Sequence, residues 1–250
     1  MIWLVLAEAA LETVPEALRA HPSVLADVKR KGTPPGKLLL DTNYHHSAMA
    51  SLPGAEKRGR PDIVHFSLLA AMNTPLNAFF KKLRVCVHVM YPVERIIQVD
   101  PATRIPRSIN RFEGIMGNLL SGKKQPTTGD DAPLFTIENM TLATFLSRFD
   151  PARIHAFSTT GKLRSFDDAL PAIGNGCSEG DSDFAVIIGG FQGGHFEGQW
   201  MAKVPPENVH SIAPLPLDAW TVVARVVYMV EEAIANAARN PSCALPSNEK

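Results

Sequence analysis

Short apolar runs alternate along the chain with longer segments whose apolar positions recur every three or four residues. Residues 2–7, Ile2-Trp3-Leu4-Val5-Leu6-Ala7, read as a buried strand. Residues 22–31 predict a short helix stopped by Gly32 and the Thr33-Pro34-Pro35-Gly36 turn. Leu38-Leu39-Leu40 leads into Asp41-Thr42-Asn43, a cluster of residues suited to cap a helix. Ile63-Val64-His65-Phe66 predicts a strand, as do Leu83 to Val89 and Glu94 to Val99, the last closing on the Asp100-Pro101 turn.

Residues 107–121 follow the period of an amphipathic helix and end at Gly122. The polar stretch from Lys123 to Asp131 reads as a loop, and Thr141 as the cap of a helix running through Phe149. Ile154–Phe157, Phe184–Ile188 and Val209–Ile212 read as short buried strands, with helical material such as Phe166–Leu170 among them. Asp218 to Arg239 predicts a long helix apolar on more than one face, a surplus that suits burial against a second copy. Strands separated by helices indicate an α/β fold with a mainly parallel sheet. Residues 1–239 read as a single domain, and the Pro/Ser-containing residues 240–250 as a flexible tail.

Composition narrows the partners. Lys+Arg 25 balances Asp+Glu 25, so any contact with a polyanion must come from a local patch. No uncharged stretch reaches the roughly 20 residues that cross a bilayer. The opening apolar run lacks a basic leader and carries Glu8 and Glu12 behind it, so no membrane role and a cytoplasmic location are expected. Cys86, Cys177 and Cys243 are sparse and share no metal-ligand spacing, which suits a reducing compartment. His45-His46, His65 and His88 have no partner at ligand spacing, so no metal is expected.

The segment from Asp100 to Phe112 is the local patch. It carries Arg104, Arg107 and Arg111 and no acid between Asp100 and Glu113. Pro106 suits a first helical turn, and a helix starting there places Arg107 and Arg111 four residues apart on one face. Guanidiniums near a helix N-terminus make an anion site that fits RNA; the same charges also describe a solvated helix end. Upstream, Arg60 and Asp62 flank Pro61, a spacing at which a carboxylate can hold a guanidinium or form an ordinary surface pair.

Three loops at strand exits carry the other candidate chemistry. Ile187-Ile188-Gly189-Gly190-Phe191-Gln192-Gly193-Gly194-His195 runs from strand into a glycine-rich loop, where backbone can approach a ligand closely. It lacks the Lys-Ser/Thr and the spacing of a phosphate cradle, which leaves a nucleoside or adenosyl ligand or a plain turn. Ile212-Ala213-Pro214-Leu215-Pro216-Leu217 is apolar and stiff, suited to enclose an adenine or to pack as a connector. Phe157-Ser158-Thr159-Thr160-Gly161 is a third exit. Ligands in open α/β sheets collect at the carboxyl ends of strands, so convergence of the three predicts one pocket.

Taken in order, Leu39-Leu40-Asp41-Thr42-Asn43-Tyr44-His45-His46-Ser47-Ala48-Met49, Arg60-Pro61-Asp62-Ile63-Val64-His65, Thr74-Pro75-Leu76-Asn77 and Arg104-Ile105-Pro106-Arg107 through Arg111-Phe112 resemble the small-subunit ribosomal RNA pseudouridine N1-methyltransferases. This is the ribosome-biogenesis branch of the SPOUT class. The resemblance spans about residues 1–238 and is closest to the archaeal form. It implies a SPOUT-type α/β methyltransferase domain with family-specific insertions, a deep C-terminal trefoil knot and a homodimer. It implies S-adenosyl-L-methionine held by Ser158, Thr159, Gly189, Gly194, His195 and Ile212, Ala213, Pro214, Leu215, Pro216, Leu217. It implies small-subunit rRNA bound by Arg60, Arg104, Arg107 and Arg111, with Asp62 steadying a catalytic Arg60, and ribosomal proteins as further candidate partners. Two positions depart from the family pattern: Pro214-Leu215 replaces a more polar pair, and Asn73 stands where some relatives carry aspartate. A non-catalytic RNA-binding assembly factor on the same fold is the alternative reading.

Overall fold

A computed structural model describes residues 1–122, 133–164 and 183–239. Seven strands form one sheet in the order β4-β3-β2-β1-β6-β5-β7. They are β1 (Ile2–Ala7), β2 (Leu83–Val89), β3 (Arg95–Val99), β4 (Phe135–Glu138), β5 (Ile154–Leu163), β6 (Phe184–Gly189) and β7 (Val209–Ser211). Pairing is parallel from β2 through β1, β6 and β5 to β7, and antiparallel at β2–β3 and β3–β4. The parallel strands are the continuous apolar runs of the sequence, as expected where both sheet faces are covered.

Alternation along those strands divides the core. Leu4, Leu6, Val85, Val87, Val186 and Ile188 face one layer; Val5, Ala7, Cys86, Ala185 and Ile187 face the other. The first layer is covered by helices α3 (Pro61–Met72), α4 (Pro75–Ala78), α5 (Ile109–Leu120) and α7 (Ala219–Arg239). The second is covered by α6 (Leu142–Leu146) and the turn bearing Trp200. A satellite cluster of Val14, Leu18, Val24, Leu38, Leu40, Ala48 and Met49 holds α1 (Pro22–Lys31) and α2 (Thr42–Met49).

Local signals explain the helix ends that the sequence marks clearly. Gly32 takes the left-handed conformation at φ 61° after α1, and the Asp41 carboxylate accepts from Asn43 N at 2.8 Å to cap α2. Thr141 caps α6, but the helix stops at Leu146, and Arg148 and Phe149 close tighter turns on Phe145 and Leu146.

Three further expectations are corrected. Ile63-Val64-His65-Phe66 is not a strand; it lies inside α3, which Pro61 opens and whose Ile63, Val64, Leu68 and Ala71 are buried. Because α3 is apolar on several sides, its helical period is masked, and the β-branched pair looked like a strand. Helix α5 begins at Ile109, not at Pro106, so Arg107 precedes it and does not share a helical face with Arg111. The first return bond is Phe112 N to Ser108 O at 3.1 Å, while the Pro106 carbonyl is engaged by His65. Strand β5 does not exit at Phe157 but continues to Leu163. Strand β4 carries no strong sequence signal; it is short and pairs only at the edge of the sheet. The expected loop at 123–131, helical material at 166–170 and tail from residue 240 lie outside the described residues.

Candidate functional site

Strands β6, β5 and β7 are neighbours in the sheet, and a cavity of about 400 Å³ opens between the carboxyl ends of β6 and β7 and the middle of β5. Ser158, Thr159, Gly189, Gly194, His195, Ile212, Ala213, Leu215, Pro216 and Leu217 all line it; Pro214 does not. Thus three segments far apart in sequence form one pocket. Among the lining residues the titratable groups are His195 and His210, with no carboxylate, lysine or arginine.

Strand β5 supplies its part through a bulge. Phe157 and Lys162 both take His210 of β7 as register partner, so Ser158 to Gly161 are looped out of the ladder. Ser158 Oγ lies 2.9 Å from Thr160 Oγ1 and accepts from Thr160 N at 3.3 Å, which braces the bulge. Gly161 is needed for the close approach: a Cβ there would fall 2.5 Å from the His210 carbonyl carbon. The glycine loop after β6 is similarly tight, with a Cβ on Gly190 meeting Ala9 at 3.0 Å. In the last loop Ser211 Oγ donates to Ala213 O at 2.7 Å and turns the chain toward α7.

His210 is the titratable lining residue that the sequence did not signal; Phe196, Ser211, Ala219 and Val222 also line the cavity without having been expected there. His210 is buried against His155, with His155 Nδ1 and His210 Nε2 2.9 Å apart and the rings stacked at 5.2 Å. Burial, the neighbouring ring and Arg164 hold His155 at about 4; burial and Arg164 hold His210 at about 4. Both rings are therefore neutral at pH 7, and the pocket wall bears no charge on this side. Nothing in the spacing of His155 and His210 signals this pair, because β5 and β7 meet only in the sheet.

The arginines occupy a second locus. Arg60, at the start of α3, donates to Asp62 from Nε to Oδ1 at 2.8 Å and from Nη2 to Oδ2 at 2.7 Å. The Asp62 hydrogen bonds, and the charges of Asp62, Asp41 and Asp218, raise the Arg60 pKa further. Asp218 immediately follows the last pocket loop, so Arg60 lies within electrostatic reach of that loop's end. Arg104, Arg107 and Arg111 are exposed, and no ion pair among the described residues engages them. Their loop is tied to α3 by His65, whose Nε2 donates to Pro106 O at 2.6 Å. A carbonyl only accepts, so Nε2 carries the ring proton. The ring is stacked on Phe112 at 4.8 Å, which locks it. Asn73, at the other end of α3, is exposed and donates to Leu69 O at 3.3 Å.

Among the described residues no three His, Cys, Asp or Glu side chains are grouped to hold a metal. His45 instead accepts from Asp41 N at 3.0 Å, and His88 Nδ1 accepts from Glu8 N at 3.1 Å. No helix among the described residues is long and apolar enough to cross a membrane.

The sequence profile of the EMG1/NEP1 methyltransferase family matches residues 4–231. The chain belongs to this family. Among its EMG1/NEP1 relatives, the ribosomal RNA small subunit methyltransferase Nep1 of Staphylothermus marinus is 38% identical over 92% of this chain and 95% of its own length. The enzyme of the same name from Pyrobaculum calidifontis is 39% identical over 92% and 98%. The crystal structure of Archaeoglobus fulgidus Nep1 bound to S-adenosylhomocysteine superposes with a TM-score of 0.77 at 34% identity, covering 93% of this chain and 98% of that one.

Proposed function

We propose that this chain is an S-adenosylmethionine-dependent methyltransferase that modifies N1 of a pseudouridine in small-subunit rRNA. The observation that carries the reading is the convergence of three segments on one pocket without lysine, arginine or carboxylate, whose last loop ends at Asp218 within electrostatic reach of the Asp62-braced Arg60, in a chain of the EMG1/NEP1 family.

The pocket suits the cofactor on its own chemistry. Ile212, Leu215, Leu217, Ile188 and Phe191 offer apolar walls to an adenine ring, and Ser158, Thr159 and the glycine backbone offer groups to hydroxyls and the amino-acid end. A lining without lysine or arginine sets no fixed cation against a sulfonium. When bound, the cofactor supplies an activated methyl group.

The protein's part is alignment and charge. N1 of the base must lose its proton as it becomes nucleophilic, and Arg60, held rigid by Asp62, stabilises the negative charge that develops. Arg104, Arg107 and Arg111 bind phosphates and set the strand's register, and the target base turns out of an RNA loop into the pocket.

The same reading makes the chain a cytoplasmic homodimer of single domains over residues 1–239. Phe66 on α3 and Tyr228 on α7 are 45% and 55% exposed, and Trp220 lies half-buried against Phe66 at 5.3 Å. This apolar strip supports pairing of α3 and α7 with a second copy. The arginines of one subunit then serve the pocket of the other. The sheet order, with β7 returning beside β5 after β6, supports a C-terminal trefoil knot.

The test is transfer of methyl to an RNA hairpin bearing one pseudouridine, read by nucleoside mass spectrometry. N1-methylpseudouridine is the expected product. Binding of S-adenosylhomocysteine without product would point to a non-catalytic assembly factor.

A further inference from the structure

Beneath the glycine-rich loop lies a buried ion pair that the proposed reaction does not use. Glu8 follows β1 at φ 51°, in the left-handed region that residues with side chains seldom adopt. Its carboxylate is buried and bound by four donors. Oε1 accepts from Glu197 N at 2.9 Å, Gly198 N at 2.8 Å and Trp200 Nε1 at 3.1 Å; Oε2 accepts from Lys57 Nζ at 3.0 Å.

Lys57 completes the arrangement from the other side. Its ammonium donates to the carbonyl of His195, lies 3.2 Å from Glu197 Oε1 and sits 4.8 Å from the centre of the Phe191 ring. His195 and Phe191 line the cavity. Space is tight throughout: a Cβ on Gly194 would meet Lys57 Cε at 3.1 Å, and one on Gly198 would meet the Trp200 ring at 2.1 Å. The loop from Gly189 to Gly198 has two aromatic anchors, Phe191 and Phe196, the latter packed on Trp200 at 4.8 Å, and charge-assisted bonds from Glu8 and Lys57 fix the backbone around them. A buried charge pair is a poor device for stability alone, because desolvation offsets its attraction. It is well suited to specifying one loop conformation.

We propose that Glu8 and Lys57 are positioning residues for the methyl donor, holding the glycine-rich loop in its binding shape before the ligand arrives. The inference rests on the pocket reading above. Neither residue touches the reacting atoms. Their loss therefore weakens donor binding and leaves the chemical step largely intact once the donor saturates.

The experiment compares the wild-type chain with Glu8→Gln, Lys57→Met and, as a control, Asp27→Asn, which disrupts a buried ion cluster in the α1–α2 region. Affinity for S-adenosylhomocysteine is measured by calorimetry, and KM for each substrate and kcat by methyl transfer. Glu8→Gln and Lys57→Met are expected to raise Kd and the KM for S-adenosylmethionine at least tenfold. They change kcat less than threefold and leave the KM for RNA unchanged. Asp27→Asn changes Kd less than twofold. Unchanged Kd in both loop variants, or an equal rise in the control, overturns the inference and leaves the pocket reading standing. Failure of the wild type to bind S-adenosylhomocysteine overturns both. Should the variants not fold, hydrogen exchange on the free wild-type protein decides. Protection of the Glu197 and Gly198 amides by at least 100-fold is expected, and exchange at unprotected rates overturns the proposal.

Discussion

Arg60 and Asp62 clasp each other across Pro61 through two hydrogen bonds of 2.8 and 2.7 Å at the start of α3. The pair is partly open, with side chains 23% and 26% exposed, so its contribution to stability is small. Its value lies in direction, because a fork held by both nitrogens has one orientation. Asp62→Ala is expected to lower methyl-transfer kcat/KM by at least tenfold while shifting stability by no more than about 1 kcal/mol. Steady-state kinetics beside a urea titration check both halves.

The exposed arginines of the 101–108 loop and the first turn of α5 have no competing partner among the described residues. Arg107→Ala should weaken RNA binding and reduce the slope of log K against log salt by about 0.7 for a single-stranded contact. Changing Arg104 and Arg111 as well should remove roughly three times that amount. Binding titrations across a salt series read the slope, and affinity for S-adenosylhomocysteine should not move.

Gly161 has no room for a side chain, since its Cβ would face the His210 backbone at 2.5 to 2.8 Å. The obstacle is main chain in the same sheet and cannot swing aside. Gly161→Ala is expected to cost about 2–4 kcal/mol and to displace the Ser158–Thr159 bulge. Urea unfolding measures the first effect, and loss of S-adenosylhomocysteine affinity in calorimetry reports the second.

The stacked pair His155–His210 makes stability fall in acid. Each ring is held at about 4 in the folded chain against an ordinary value of 6.5. Between those values the unfolded chain binds protons that the folded one refuses, so stability declines as pH drops from 6.5 toward 4 and is unaffected above 7. His155→Phe should flatten that decline in urea midpoints measured across the range.

His65 links recognition to framework. Its Nε2–H bond to Pro106 O fixes the arginine loop on α3, the helix that begins with Arg60. His65→Ala should reduce RNA affinity about as much as removal of one arginine, roughly threefold to tenfold, with little effect on donor binding. Filter binding and calorimetry separate the two.

Features governed by neighbours in sequence were legible from it. Gly32 ends α1, Asp41 caps α2, and the apolar runs became the parallel strands. The three pocket segments were recognisable as glycine-rich, proline-stiffened or small-polar stretches, although the small-polar one is a bulge inside β5 and not a strand end. The resemblance named the arginines and Asp62. Where packing overrode local pattern, the reading failed: α3, buried on several sides, lost its helical period, and α5 starts late because Pro106 is engaged by His65. Strand β5 runs past its expected end because β7 pairs with it on both sides of a bulge.

The sequence by itself determined the class of the fold, the family and the three segments that line the pocket, because capping, alternation and motif order act over short distances. Only the tertiary structure decided that β5 lies between β6 and β7 and that His210 meets His155. It alone placed Glu8 and Lys57 together beneath the glycine loop. These contacts join residues 49 and 55 positions apart, and no local rule connects them until the sheet forms.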